Sequence, residues 1–121
     1  MISSEVHLKK FQKELAAGTV AMVLLAVLAR AREPMYGYQI AKRLERSGGG
    51  VLAGKQSALY PVLRSLSAAG LAASHVEPSV AGPPRRYYAI TPLGREVLRA
   101  WSAAWSDTRE FVDAILQGTP P

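Results

Sequence analysis

The stretch Gly82-Pro83-Pro84-Arg85-Arg86-Tyr87-Tyr88-Ala89-Ile90-Thr91-Pro92-Leu93-Gly94 packs a turn, a strand and a helix start into thirteen residues. Gly82, Pro83 and Pro84 punctuate a turn, and Arg86 to Ile90 is a short aromatic and β-branched run of the kind that forms a strand. Thr91 is suited to cap a helix whose first position is Pro92, because the fixed φ of proline and its missing N–H match what the first helical residue requires. Two arginines therefore stand at the tip of a hairpin, where two charges beside a rigid Pro-Pro turn gain little from the protein itself. An exposed basic turn on any α+β domain would read the same way, so the order of elements upstream decides between the alternatives.

Upstream come Tyr36-Gly37-Tyr38-Gln39-Ile40 and then Ser57-Ala58-Leu59-Tyr60-Pro61-Val62-Leu63. That order implies a mostly α fold with a small β-hairpin wing: a winged helix-turn-helix followed by a long C-terminal helix. The chain resembles the PadR-type transcriptional regulators. It carries their Tyr-Gly-Tyr (36–38), Leu-Tyr-Pro (59–61) with a following Leu63, Gly70-Leu71, the Pro-Pro-Arg-Arg-Tyr-Tyr run (83–88), Ile90-Thr91-Pro92 and Gly94-Arg95. The resemblance spans roughly Leu15 to Leu116, and several separated motifs in order are far more specific than any one of them. Two departures stand out. Ser57 and Ala58 replace the usual Gly then Ser or Thr, which removes a hydroxyl at the second position, and Ser67 replaces a frequent acidic residue.

Composition agrees. The chain has 121 residues, a net charge of +6 and no cysteine, which implies one domain, no disulfide framework and a reducing, cytoplasmic setting. Residues 1–95 hold 13 Lys/Arg against 5 Asp/Glu, whereas residues 96–121 hold 2 against 4. A basic body with a mildly acidic last helix implies that the body meets a polyanion. Lys9, Lys10 and Lys13 ahead of the apolar run Val20–Ala29 superficially resemble a signal peptide, but Glu5 and Glu14 interrupt the basic region. The run is also shorter than the roughly 20 apolar residues of a membrane span, so residues 15–31 are expected to form a buried first helix with no membrane role.

Enzymatic chemistry finds no footing. His7 and His75 lie far apart, no metal-ligand spacing or nucleophile–base pattern is present, and the triple glycine at 48–50 lacks the Lys-Ser/Thr of a phosphate loop. No cofactor or metal is expected.

Punctuation then sets the organisation. A second helix is expected over Tyr36–Arg46 with Ile40 and Leu44 inward, and a flexible Ser47–Gly50 loop. A third helix runs from Gln56 or Ser57 to Ala69 with Leu59, Leu63 and Leu66 buried, Pro61 near its first turn and Gly70 ending it. Wing strands follow at Leu71–Val76 and Arg86–Ile90, with Glu77–Arg85 as the tip, and the last helix covers Pro92 to about Leu116. We accordingly divide the chain into a DNA-binding domain, 1–91, and a dimerisation helix with its tail, 92–121.

In this frame the third helix is the recognition element. Gln56 is suited to pair with adenine, Ser57 and Tyr60 to bond a phosphate or base edge, and Arg64 to reach a phosphate. Tyr60 has a second reading as a half-buried ring packed on the wing. Tyr38 reads first as a packed aromatic with a phosphate contact as its alternative, Lys42 and Lys55 read as backbone contacts or equally as solvated charges, and Arg85 and Arg86 are the wing's contacts.

The final helix bears Leu98, Trp101, Trp105, Thr108, Val112 and Ile115 at 3, 4, 3, 4, 3 spacing, a heptad seam that one small domain cannot cover alone. Leu98, Trp101, Trp105, Val112 and Ile115 are therefore the candidate dimer interface, and a homodimer would place two recognition helices on a pseudo-palindromic operator. The resemblance implies a repressor relieved by a small effector, with flat aromatic compounds held in a cleft at Trp101 and Trp105; both indoles can equally pack an interface. The alternative of a different class is a winged protein-protein adaptor or small-molecule module without DNA binding.

Overall fold

A computed structural model describes residues 3–47 and 56–118. In chain order the described elements are α1 (Ser4–Arg30), β1 (Met35–Tyr36), α2 (Gly37–Arg46), α3 (Gln56–Ala68), β2 (Ala72–Glu77), β3 (Arg85–Ile90) and α4 (Pro92–Leu116). The glycines of the 48–50 loop and Lys55 lie outside the described residues.

The apolar spacing builds the core directly. Leu59, Leu63 and Leu66 repeat along one face of α3, Ile40 and Leu44 along one face of α2, and Leu24, Leu25 and Leu28 close the end of α1. These stripes meet Met35, Leu71, Ala72 and Tyr88 of the sheet in a single cluster. Among the described residues no buried side-chain polar atom lacks a partner.

The end of α3 follows from Gly70, whose φ of +78° suits a residue without Cβ. Its N–H donates to the Ser67 carbonyl at 3.0 Å while Leu71 N–H donates to the Leu66 carbonyl at 2.9 Å, a Schellman ending that turns the chain into β2. At the other end of the wing, Thr91 caps α4 as its residue type requires: its Oγ accepts from Gly94 N–H at 3.0 Å and donates to the Gly70 carbonyl at 2.7 Å. One hydroxyl thus ties the exit of α3 to the start of α4.

The sheet is antiparallel in the order β1-β3-β2. The hairpin pairs run from Ala72 opposite Ile90 to Glu77 opposite Arg85. β1 adds a third strand that the sequence reading did not contain, with Met35 opposite Tyr88 and Tyr36 opposite Tyr87. Tyr36 is accordingly the cap of α2 and not its first helical residue, its N–H donating to Gln39 Oε1 at 3.1 Å.

Three further expectations change. Pro61 lies inside α3, beyond the first turn counted from Gln56, and has no N–H to give to the carbonyl one turn back. The wing strands are offset by one residue, so Arg85 is the first residue of β3 and not part of the tip. Finally, α1 starts at Ser4, because Ser3 accepts from Val6 N–H at 3.4 Å and Glu5 stands in the first turn. With 27 residues α1 is long and apolar enough to cross a membrane, correcting the expectation of a run too short to do so. Its last turns are nevertheless the centre of the core, with Leu24 and Leu25 fully buried.

The expected boundary at 91/92 coincides with the cap of α4, yet Val97, Leu98 and Trp101 beyond it still pack on the core. Arg95 adds a bond from its guanidinium to the Ala29 carbonyl of α1 at 3.5 Å.

Candidate nucleic-acid interface

A groove of about 410 Å³ runs between α3 and the wing, and its walls carry Tyr38, Tyr60, Arg64, Arg85 and Arg86. Five of the nine candidate contacts are therefore brought to one concavity, although they come from three separate segments. Gln56 and Ser57 open α3. Lys42 lies one turn along α2 from Tyr38, its Nζ 5.5 Å from the centre of the Tyr38 ring and 3.4 Å from Glu45 Oε2.

Glycine makes the groove's inner wall. Gly37 is buried at the start of α2, and a Cβ there would run into the ring of Tyr60. The missing side chain lets α3 approach α2 with the ring of Tyr60 between them, and Tyr60 is half-buried there, against Gly37 and in the same groove as the wing residues. One helical turn further on, Arg64 is exposed.

The wing arginines are less free than the sequence implied. Arg85 lies over Tyr36, its guanidinium carbon 4.5 Å from the ring centre, a cation–π contact, and it pairs across the hairpin with Glu77. Arg86 donates from Nη1 to Ser74 Oγ at 3.1 Å. Both have protein partners, which corrects the expectation that they gain little from the fold, and both remain exposed. The partners aim them: a guanidinium braced on an aromatic face or a hydroxyl loses less side-chain freedom when it meets a phosphate.

Aromatic rings supply the platform. Tyr36 stacks on Tyr38 at 6.3 Å and meets Tyr87 edge-on at 5.4 Å, and Tyr87 stacks on His75 at 5.6 Å. His75 also lies 3.5 Å from Glu77 Oε1. The turn beyond carries no cation: residues 78–84 are Pro, Ser, Val, Ala, Gly, Pro and Pro, with Ser79 Oγ bonded to the Gly82 and Pro83 carbonyls. The charge of the wing is thus on the strand just behind the turn, where Arg85 and Arg86 share a groove with Arg64 of α3.

Sequence reasoning missed a second basic surface. Arg30, Arg32, Lys42, Arg43 and Arg46 line a groove of about 520 Å³ on the other side of Tyr36 and Tyr38. Gln39, Lys42, Arg43 and Arg46 stand at one-face spacing on α2, opposite Ile40 and Leu44, so half of this surface was legible as the polar stripe of an amphipathic helix.

The seam on α4 divides in two. Leu98 and Trp101 are half-buried against the protomer's own core, while Trp105, Val112 and Ile115 are exposed. On α1, Val6, Leu8, Phe11 and Leu15 are exposed as well. Between the helices lies a groove of about 450 Å³ whose walls include Leu15, Gly18, Met22, Trp101, Trp105 and Thr108.

Helix α3, the antiparallel wing and the basic groove between them define a winged helix-turn-helix protein. Residues 24–100 match the model of the transcriptional regulator PadR-like family. The chain belongs to that family. A PadR family transcriptional regulator from Eggerthella lenta has a similar structure, with 34% identity, a TM-score of 0.77, and 93% of this chain and 95% of that one covered. A PadR-like regulator from Bacillus cereus is 26% identical with a TM-score of 0.70, over 86% of this chain and 97% of that one. PadR of Bacillus subtilis, solved in complex with operator DNA, shares the fold at 22% identity and a TM-score of 0.60, over 69% of this chain and 46% of that one.

Proposed function

We propose that the protein is a cytoplasmic, homodimeric repressor that binds a pseudo-palindromic operator through α3 and the wing and releases it when a small flat aromatic ligand binds. The observation that carries the reading is the groove in which Arg64, Arg85 and Arg86 converge beside the middle of α3 with no acidic residue among its described walls. Residues 1–91 then serve as the DNA-binding module and 92–121 as the dimerisation helix. The fold of operator-bound Bacillus subtilis PadR supports the reading, and a family of regulators gives no reason to assign catalysis. Genomic binding-site mapping, followed by anisotropy titration of the recovered duplex, tests it; no enriched site and no duplex affinity at low salt would refute it.

The dimer in this reading covers the outer half of the α4 seam together with the apolar amino-terminal half of α1, since Phe11, Leu15, Val112 and Ile115 are all exposed in the protomer. Val112→Asp with Ile115→Asp is expected to give monomers in sedimentation, because each carboxylate would be buried unpaired at a cost of several kcal/mol, on the order of that for a broken buried ion pair. An intact dimer would move the interface off α4.

The ligand reading rests on the α1–α4 groove. Trp105 is 40% exposed there, so a planar dye can stack on the indole. Such a dye should quench tryptophan fluorescence and weaken operator binding, and Trp105→Ala should abolish both responses while leaving the dimer. A dimeric Trp105→Ala protein that still responds as the parent does would make the indole a packing residue.

A further inference from the structure

We infer that the groove formed by the end of α1 and the outer face of α2 is a second DNA-backbone site, holding phosphates that flank the segment read by α3 and the wing. The inference rests on the DNA-binding reading and extends its footprint.

Charge is the first observation. Arg30, Arg32, Lys42, Arg43 and Arg46 surround one concavity in which Glu33 is the sole acidic residue. Among the described residues, Arg30, Arg32 and Arg43 make no ion pair, and Arg46 is held by a bond from its Nε to the Lys42 carbonyl at 3.4 Å. Arg30 ends α1 and Arg43 and Arg46 end α2, where cations are favoured by the helix dipole. That effect accounts for isolated cations at each helix end. It does not account for Arg32, which is on neither helix, nor for the convergence of five like charges that repel one another in the absence of an anion.

Continuity is the second. Tyr36 and Tyr38 belong to the walls of both this groove and the α3–wing groove. The two basic concavities are thus the two sides of one aromatic ledge, with Arg85 over one ring and Lys42 over the other. A small anion would need only one of them. A duplex carries a phosphate for about every 1.7 Å of its axis and can follow the surface across the ledge. The arginine fork also matches a phosphate's paired oxygens, which suits four arginines at this place.

The test uses the full-length protein and a fluorescein-labelled 40-bp random-sequence duplex, about 40 bp being long enough to extend past a two-half-site footprint, titrated by anisotropy across a KCl series. Each phosphate contact contributes about 0.9 to the slope of log affinity against log salt. Arg43→Gln with Arg46→Gln, and separately Arg30→Gln with Arg32→Gln, should each lower the slope by about 1.8 per bound protomer, or about 3.6 for a dimer with both protomers on the duplex, and the matching Arg→Lys pairs should keep the parent slope. If the Gln pairs keep the parent slope, or lose affinity without a change of slope, the arginines are structural and the inference is overturned, while binding through α3 and the wing stands. If the parent protein binds no duplex at any salt, the DNA reading itself fails and takes this site with it. The Lys pairs retain the charge and helix-end contacts, so a slope lost in them too, with unchanged circular dichroism, also overturns the assignment.

Discussion

Arg85→Ala with Arg86→Ala should weaken duplex binding on the order of a hundredfold for each protomer bound, as two charged hydrogen bonds at about 1.5 kcal/mol each would give. The salt slope should fall by about 1.8 per bound protomer at the same time, or about 3.6 for a dimer with both wings engaged. The structure explains why the effect should be this large. Arg85 is braced on Tyr36 at 4.5 Å and Arg86 on Ser74 at 3.1 Å, so the guanidinium groups are positioned before DNA arrives. Removing them also removes the cation that covers the Tyr36 ring. Because phosphates are common to all sequences, the loss should be similar for operator and random duplex, whereas Gln56→Ala should chiefly relax preference between them. Arg99→Ala is the control, since Arg99 is exposed on α4, away from both basic grooves. A wing variant that loses no more affinity than Arg99→Ala would take DNA contact away from the wing arginines.

The second large effect is on stability. Gly94, the third residue of α4, is buried, and a Cβ there would strike the Leu71 carbonyl and crowd Ile90 Cγ1. That carbonyl cannot move aside, because it also accepts from Thr91 N–H at 3.1 Å and belongs to the turn into β2. Overpacking costs about 1–3 kcal/mol when side chains can give way, and a backbone obstacle puts Gly94→Ala at the upper end of that range. Thermal unfolding should show a fall in Tm of about 10 °C, taking roughly 4 °C for each kcal/mol. Gly18→Ala supplies the contrast. Nothing lies within 4 Å of a Cβ at Gly18, and the position is mid-helix, so alanine should stabilise α1 by about 0.5–1 kcal/mol. Equal melting temperatures for the Gly94→Ala protein and its parent would mean that α4 docks less closely than the structure has it.

Local chemistry made part of this molecule readable from the sequence. The Thr91 cap with Pro92, the Gly70 ending of α3, the inward leucines 59, 63 and 66 and the strand over 86–90 all depend on residues within a turn or two of one another. They act through backbone geometry and amphipathic period, both of which are written in sequence order. The family resemblance rested on the same segments, and the match over residues 24–100 shows it.

What needed the tertiary structure is what joins distant segments. β1 is two residues long, too short to carry a period, and exists only because Tyr87 and Tyr88 offer it a ladder. That pairing draws Tyr36 under Arg85, and Ser74 of β2 holds Arg86, so two arginines expected to be free are braced. The second basic groove assembles Arg30 and Arg32 with Arg43 and Arg46 across the bend at 32–33 between α1 and β1, so no single short window of sequence shows five cations together. The seam on α4 looked uniform because its spacing is uniform; which half is buried depends on where α1 lies, and α1 shields Leu98 and Trp101 while leaving Val112 and Ile115 exposed. The sequence by itself thus determined the helices, the wing and the family. Their mutual placement, and with it the grouping of Tyr38, Tyr60, Arg64, Arg85 and Arg86 in one groove, came from packing between segments far apart in the chain, an interaction that no local pattern encodes.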